Sequence, residues 1–276
     1  MRFVHPTEDQ FVTQVMKHLF RSRGVDMSGY SESFVLRAIK KRVSRAGAAD
    51  QMGYLRILLH SENETNELLG ALSINVTEFF RDKGAFEALA TRVVRPLLAL
   101  KAAEGGVLRM WSAGCATGQE TYTMAMCLAE ELSELPQDKR PVSSILGTDI
   151  SNAALAKAES GIYTKEEIKG IPEKLLIKYF GKKGLSYEAC QGLTRFTRFA
   201  RENILDKPGS RFFDAIVCRN VLIYFSRDMH TVVVHNLHEA LRKGGYLMLG
   251  RTETLMGAPR SSFEVVDLEN RILRKL

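Results

Sequence analysis

The chain has 276 residues, of which 45% are hydrophobic and 26% charged; that is enough for a sizeable core in one large domain, or in a small domain joined to a medium one. No stretch approaches the run of about 18 apolar residues that a membrane span needs. The opening MRFVHPTEDQ has no apolar signal core, and Cys115, Cys127, Cys190 and Cys218 fall in no C-x-x-C pair, so a zinc site and a disulfide framework are disfavoured and a cytoplasmic location is expected. The formal net charge of +7 admits nucleic acid, an anionic membrane or an acidic protein as partner, and the location of the charge decides among them.

From about residue 8 to 72, apolar residues recur at three- and four-residue spacing with breaks at SRGVDMSGYS and RAGAADQMG. This pattern predicts a small all-helical domain over residues 1–75. Within it, ESFVLRAIKKRVSRAG drawn at 100° per residue gathers Arg37, Lys40, Lys41 and Arg45 on one side and Val35, Leu36, Ile39, Val43 and Ala46 on the other, with Arg42 at the border. Residues 76–105 read as linker helices ending at Gly105-Gly106. The period then changes. Short apolar runs (VLRMWSA, SSILGTDI, FDAIVCRN, GYLMLG) alternate with amphipathic ones (YTMAMCLAEEL, NAALAKAES, MHTVVVHNLHEALRK), which predicts an α/β fold with a largely parallel sheet covered on both faces, extending to residue 276. Residues 161–200 are too long for an ordinary connection and read as an insertion. The tail FEVVDLENRILRKL reads as a closing antiparallel hairpin.

In such a sheet a ligand lies outside the carboxyl ends of the strands. The loop after VLRMWSA, Gly114-Cys-Ala-Thr-Gly118, lacks the lysine of a phosphate-binding P-loop and the G-x-G-x-x-G spacing of a dinucleotide site. Glu120 follows instead, and Asp149 stands at the end of the next strand, where an acid accepts the hydrogen bonds of a ribose diol. A glycine loop without a phosphate clamp, an acid for ribose and a second carboxylate together suit a nucleoside that carries positive charge, and S-adenosylmethionine is such a ligand. Glu120 taken singly is equally well explained as an acid complementing a helix dipole, and Asp149 as the N-cap of SNAALAKA.

NVTEFFRD (75–82), WSAGCATGQETYTMA (111–125), GTDIS (147–151), SGIY (160–163) and CRNVLIYF (218–225) resemble, in order, the signature segments of the CheR family, the chemotaxis receptor glutamate methyltransferases. The resemblance implies a Rossmann-like class I S-adenosylmethionine-dependent methyltransferase domain, a small all-helical N-terminal domain and an inserted small β-subdomain at about 161–200. It implies that Asn75, Thr77 and Arg81 line the methyl-donor pocket from the linker side. Gly114 is implied in the pocket, Glu120 at its methionine part, Asp149 at the ribose, Asn203 and Ile204 by the adenine, and Asn220 and Val221 along the methionine moiety. Arg81 and Tyr224 are implied at the reacting centre, as groups that orient a carboxylate by hydrogen bonds. LGRTETL carries Arg251 where some members have histidine, which leaves that side chain without an assigned role.

The implied reaction carries the methyl group to a receptor glutamate. That carboxylate is ionised at neutral pH, its pKa being about 4.3, so no general base is required. No metal is required either, and His235 and His238 read as a solvated helix face rather than ligands. The implied partner is the cytoplasmic domain of a methyl-accepting chemoreceptor, a glutamate-rich helical bundle, for which Arg37, Lys41 and Arg45 form the docking face. Neither nucleic acid nor membrane insertion is expected, and a monomer is. The alternatives are a noncatalytic S-adenosylmethionine-binding signalling module and a methyltransferase acting on another protein. DNA amino-methylation is disfavoured because RNVLIY replaces the (D/N)-P-P-(Y/F) motif of those enzymes. Some family members use the insertion to bind a peptide at the receptor C-terminus. Here GKKGLSYEACQGLT leaves room for two short strands with tight turns at Gly181, Gly184 and Gly192, so independence from such a tether is expected. Reversing Arg37, Lys41 and Arg45 to glutamate is expected to leave S-adenosylmethionine affinity intact and to slow methylation of receptor fragments, most at low salt, where charges are least screened; an unchanged initial rate would make the basic side a solvated face only.

Overall fold

The computed structural model describes residues 7–23, 26–72, 77–209, 212–255 and 261–276. The chain divides into two compact units, one formed by Met1–Ile74 with Tyr224–His230 and the other by Asn75–Ile223 with Thr231–Leu276.

The first unit holds α1 (Glu8–Arg23), α2 (Glu32–Arg45), α3 (Gln51–His60) and α4 (Glu62–Leu72). Their starts are specified locally. Thr7 and Gln10 exchange backbone-to-side-chain hydrogen bonds ahead of α1, the capping-box pattern. Asp50 accepts from the Gly53 N–H at the start of α3, and the Ser61 hydroxyl accepts from the Glu64 N–H at the start of α4. The apolar stripes meet in one core of Phe11, Val15, Leu19, Phe34, Ile39, Tyr54, Leu58 and Leu68. The segment Tyr224–His230 joins this unit through backbone hydrogen bonds from Ser31 N–H to the Tyr224 carbonyl and from Ser226 N–H to the Gly29 carbonyl, with the Tyr224 ring centred 4.9 Å from that of Phe34.

Arg42 does not stand at the border of its helix but inside the unit, 8% exposed. Its Nε and one terminal nitrogen bind both oxygens of Glu64 at 2.9 and 2.6 Å, and the other terminal nitrogen binds Glu67 at 2.9 Å. The buried Tyr54 hydroxyl donates to Glu64 as well. Helical drawing registers only the angle of Arg42; the acids that admit its charge to the interior come from another helix. The hydrogen bond to Glu64 raises the Arg42 pKa above its ordinary value, and burial raises that of Tyr54. With Arg42 pinned inward, Arg37, Lys41 and Arg45 are left exposed, while Lys40 pairs with Glu8 at 2.7 Å.

The second unit begins with α5 (Lys83–Leu89), a π turn at Ala90–Val94 and α6 (Arg95–Glu104), which Gly105 ends in the left-handed conformation at φ 71°. β1 (Leu108–Ala113), α7 (Gln119–Ser133), β2 (Ser143–Asp149) and α8 (Asn152–Ser160) follow. Next come β3 (Ile162–Thr164), α9 (Glu173–Tyr179), β4 (Phe180–Lys183), β5 (Ser186–Ala189), α10 (Gln191–Thr194), β6 (Thr197–Arg201) and β7 (Phe213–Cys218). α11 (Arg227–Ala240), whose first turn is counted with the helical unit, leads into β8 (Leu241–Leu249), and β9 (Phe263–Asp267) and β10 (Ile272–Lys275) complete the chain.

The large sheet runs in the order β6-β2-β1-β7-β8-β10-β9. Its first five strands are parallel, and β10 and β9 add antiparallel, the hairpin expected from the tail. Chain order reverses between β1 and β7, so the crevice of the fold opens between the loops that leave these two strands.

The small sheet, in the order β3-β5-β4, lies inside the expected insertion. The two short strands expected there are β4 and β5, turning at Gly184 (φ 60°), and SGIY supplies the third strand. Gly181 sits within β4 and Gly192 within α10 rather than in turns. Thr197–Arg201 is not part of this small sheet: it pairs in parallel with Ile145–Asp149 of β2 at the edge of the large one. A sequence window cannot separate the two cases, because the residues read as strand either way and only the partner differs. Tyr163 and Phe180 of the small sheet meet Phe79 edge to face at 5.0 and 5.6 Å, which fixes the segment before α5 against the insertion.

Arg42→Met is expected to leave Glu64 buried without its charge partner and to destabilise the helical unit by about 3 kcal/mol, seen as a lower urea midpoint for loss of its helix signal; an unshifted midpoint would reduce the network to a solvated ion pair.

Candidate active site

The crevice is lined by the loop after β1, which uses backbone conformations few residues accept. Gly114, Ala116 and Gly118 have φ of 77°, 48° and 93°. A Cβ on Gly114 would lie 2.6 Å from a methyl carbon of Val221, and one on Gly118 would lie 2.8 Å from the Ala158 Cβ and 2.9 Å from the Tyr163 hydroxyl. The glycines are therefore required twice over, for the left-handed backbone and for the close approach. The loop is tied down by Gly114 and Cys115 N–H groups on the Thr148 carbonyl and by the Tyr163 hydroxyl, which donates to the Thr117 carbonyl at 2.8 Å. Tyr163 belongs to β3, so the inserted sheet buttresses the loop.

Two carboxylates border it. Asp149, at the end of β2, accepts from the Ala116 N–H with one oxygen and from the Ser151 N–H with the other, both at 2.9 Å. It is not the cap of α8; the Ser151 hydroxyl caps that helix by accepting from the Ala154 N–H. Burial raises the Asp149 pKa above its ordinary value despite these donors. A carboxylate has about four acceptor positions, so both oxygens of Asp149 keep capacity for a diol.

Glu120 lies in the first turn of α7 and accepts from the Ser112 hydroxyl, on β1, at 2.8 Å. Its environment goes beyond helix-dipole complementarity. Burial pushes its pKa up to about 7, with Glu253 adding to the rise and Arg219, Ser112 and Arg81 opposing it. Because the ordinary value is 4.5, the folded protein holds this proton where the unfolded chain has released it, so Glu120 costs stability progressively as pH rises from about 4.5 through 7.

From the other side of the crevice, β7 is followed by Arg219-Asn220-Val221. Arg219 is 5% exposed; one terminal nitrogen donates to the Arg81 carbonyl at 2.9 Å and the other binds the Asp82 carboxylate, while the guanidinium lies 5.1 Å from the centre of the Phe86 ring. Arg219 thus anchors the TEFFRD segment at the crevice and brings the Arg81 charge near Glu120. Asn220 is held at φ 57°, and its side-chain oxygen is buried with no hydrogen-bond partner.

Of the residues expected from the sequence, Gly114, Glu120, Asp149, Asn220, Val221 and Arg81 assemble around this crevice. Thr77 is half-buried at the start of the TEFFRD segment. Asn203 and Ile204 follow β6, in a turn whose Ile204, Leu205 and Asp206 carbonyls all face the Asn236 amide nitrogen at 3.0 to 3.1 Å. Tyr224 is counted with the helical unit, Arg37, Lys41 and Arg45 lie on α2, and Asn75 falls outside the described residues. Arg251 is exposed, 3.6 Å from Glu269. No cluster of three or more metal-ligating side chains occurs among the described residues, and none of the helices among them is long and apolar enough to cross a membrane.

The family model for the CheR methyltransferase S-adenosylmethionine-binding domain matches residues 75–272, and that for the CheR all-alpha domain matches residues 12–73. The chain belongs to the CheR methyltransferase family. Family relatives include a chemotaxis protein methyltransferase of Borreliella burgdorferi, 30% identical over 261 residues, or 92% of this chain and 91% of that protein. Chemotaxis protein methyltransferase 1 of Pseudomonas aeruginosa is 39% identical over 196 residues, 70% of each chain. A 104.1 kDa protein of Rhodobacter capsulatus is 33% identical over 263 residues, 95% of this chain but 27% of that one, so this chain spans about a quarter of that longer relative. The family segments carry most of the crevice, whereas Glu253 and Asn236, which hold its loops, escaped the sequence reading. The available signal for Glu253 was an acid three residues beyond the glycine that ends the apolar run LMLG.

Proposed function

We propose that this protein transfers the methyl group of S-adenosylmethionine to glutamate side-chain carboxylates of a chemoreceptor cytoplasmic domain, giving methyl esters. The observation that carries the reading is an unpartnered acceptor in a crevice built for a cation: the buried Asn220 side-chain oxygen has no donor, Glu120 holds its proton up to about 7, and the loop between them has no lysine for phosphate. An ammonium group would supply the missing donor and a positive charge would favour the ionised Glu120. Asp149 suits the ribose, Asn203 and Ile204 the adenine, and Gly114 and Val221 the space along the methionine chain. Family membership, and the names of the chemotaxis methyltransferases among the relatives, support the receptor as substrate.

The bound donor supplies an electrophilic methyl group. A glutamate oxygen forms the new C–O bond as the C–S bond breaks, the electron pair leaves with sulfur, and no proton moves. The protein's contribution is alignment and exclusion of water, which in favourable cases is worth roughly 7 to 11 kcal/mol. Arg81 and Tyr224 retain the orienting roles that the resemblance assigns. Arg37, Lys41 and Arg45 steer an acidic helical substrate, raising encounter rates more than affinity.

Incubation with methyl-labelled S-adenosylmethionine and receptor cytoplasmic fragments is expected to yield label that alkali releases as methanol; label stable to alkali would place the methyl group on another atom. Affinity for the product S-adenosylhomocysteine, which keeps the ammonium group, is expected to rise between pH 6 and 8 as Glu120 passes through its value of about 7, with proton release on binding. Glu120→Gln should flatten that dependence in calorimetry, and a variant with the original slope would assign the titration to another group.

A further inference from the structure

Glu253 lies just past the end of β8, 3% exposed, and its carboxylate accepts three main-chain hydrogen bonds. One oxygen accepts from the Gly250 N–H at 2.7 Å and the Asn220 N–H at 2.8 Å; the other accepts from the Leu222 N–H at 2.8 Å. Burying a carboxylate is costly unless donors replace its water, and here three N–H groups of two separate loops do so. The approach leaves no space: a Cβ on Gly250 would lie 2.6 Å from the Glu253 oxygen and 3.0 Å from the Asn220 nitrogen.

The clamped segment includes a residue in the left-handed region. Asn220 is a non-glycine residue at φ 57°, a conformation that persists only where its surroundings over-determine it. Its side-chain oxygen is the unpartnered acceptor of the crevice, and the next residue, Val221, packs against the space where Gly114 has no side chain. The N–H groups on both sides of Val221, those of Asn220 and Leu222, end on the one carboxylate. A shift of Glu253 therefore moves both the acceptor and the contact with the β1 loop.

We propose that Glu253 is a positioning residue for the methyl-donor site: through the Asn220 and Leu222 N–H groups it holds Asn220 and Val221 in the shape that receives the ligand's methionine portion. This rests on the donor assignment above. Three of the roughly four acceptor positions of Glu253 are taken by main-chain N–H groups, one more than at Asp149, so its hydrogen bonding serves the loop first.

The test uses the full chain with Glu253→Gln, which turns one acceptor into a donor facing N–H groups, and Gly250→Ala, which displaces the carboxylate without changing its chemistry. Lys101→Met serves as a control for general destabilisation, because it breaks the buried Lys101–Asp214 pair. Both loop variants are expected to lose about tenfold or more in S-adenosylhomocysteine affinity by calorimetry and to lose amide-exchange protection at Asn220 and Leu222. The control is expected to unfold at lower temperature with unchanged affinity. Affinity equal to that of the unaltered chain in both loop variants, or an equal loss in the control, would overturn the proposal. Failure of the unaltered chain to bind S-adenosylhomocysteine would instead overturn the donor assignment, with exchange at Asn220 and Leu222 still reporting whether the clamp exists.

Discussion

Backbone N–H groups leaving the carboxyl ends of parallel strands have lost their sheet partners, and burial does not permit them to remain unsatisfied. In this fold carboxylates meet that demand. Asp149 takes the Ala116 and Ser151 N–H groups, and Glu253 takes those of Gly250, Asn220 and Leu222. Each acid joins loops that are distant in sequence, so the crevice walls are held open by hydrogen bonding rather than by filling the space with side chains. The glycines make the arrangement possible, since Gly114, Gly118 and Gly250 stand where a Cβ would strike a neighbouring segment or side chain.

The same use of acids sets the electrostatics. Burial disfavours the charge on Glu120, nearby Glu253 adds to that, and Arg219, Ser112 and Arg81 offset only part of the rise. The result is a site whose carboxyl at Glu120 is neutral or charged according to what lies beside it, which is a natural response to a cationic ligand. Arg219 has two tasks: it moderates that charge and it pins the Arg81–Asp82 segment. Phe79 pins the same segment from the other direction, against Tyr163 and Phe180, and Tyr163 reaches on to the Thr117 carbonyl. The inserted sheet thus supports the loop after β1 directly.

In the helical unit the governing constraint is again a buried charge. Arg42 is the base of α2 that turns inward because Glu64 and Glu67 are there to receive it, with Glu64 also held by the Tyr54 hydroxyl. With Arg42 inside, Arg37, Lys41 and Arg45 remain exposed on the helix, and the unit gains a polar tie between α2 and α4 that apolar packing alone would not specify.

Periodicity in the sequence was sufficient for the helical first domain, the alternating strands and helices of the second, the interruption after residue 160 and the terminal hairpin, because each of these is a local pattern of burial. The segments NVTEFFRD, WSAGCATGQETYTMA and CRNVLIYF were sufficient for the family, because each is a specific run of residue types and the three occur in the family's order. What the tertiary structure alone decided is pairing across distance. It gave Thr197–Arg201 to the large sheet and turned Arg42 inward. It made Ser151 rather than Asp149 the cap of α8, and it gathered three N–H groups onto Glu253. Each outcome depends on which buried donor meets which acceptor once the chain has closed, and no window of neighbouring residues contains both partners.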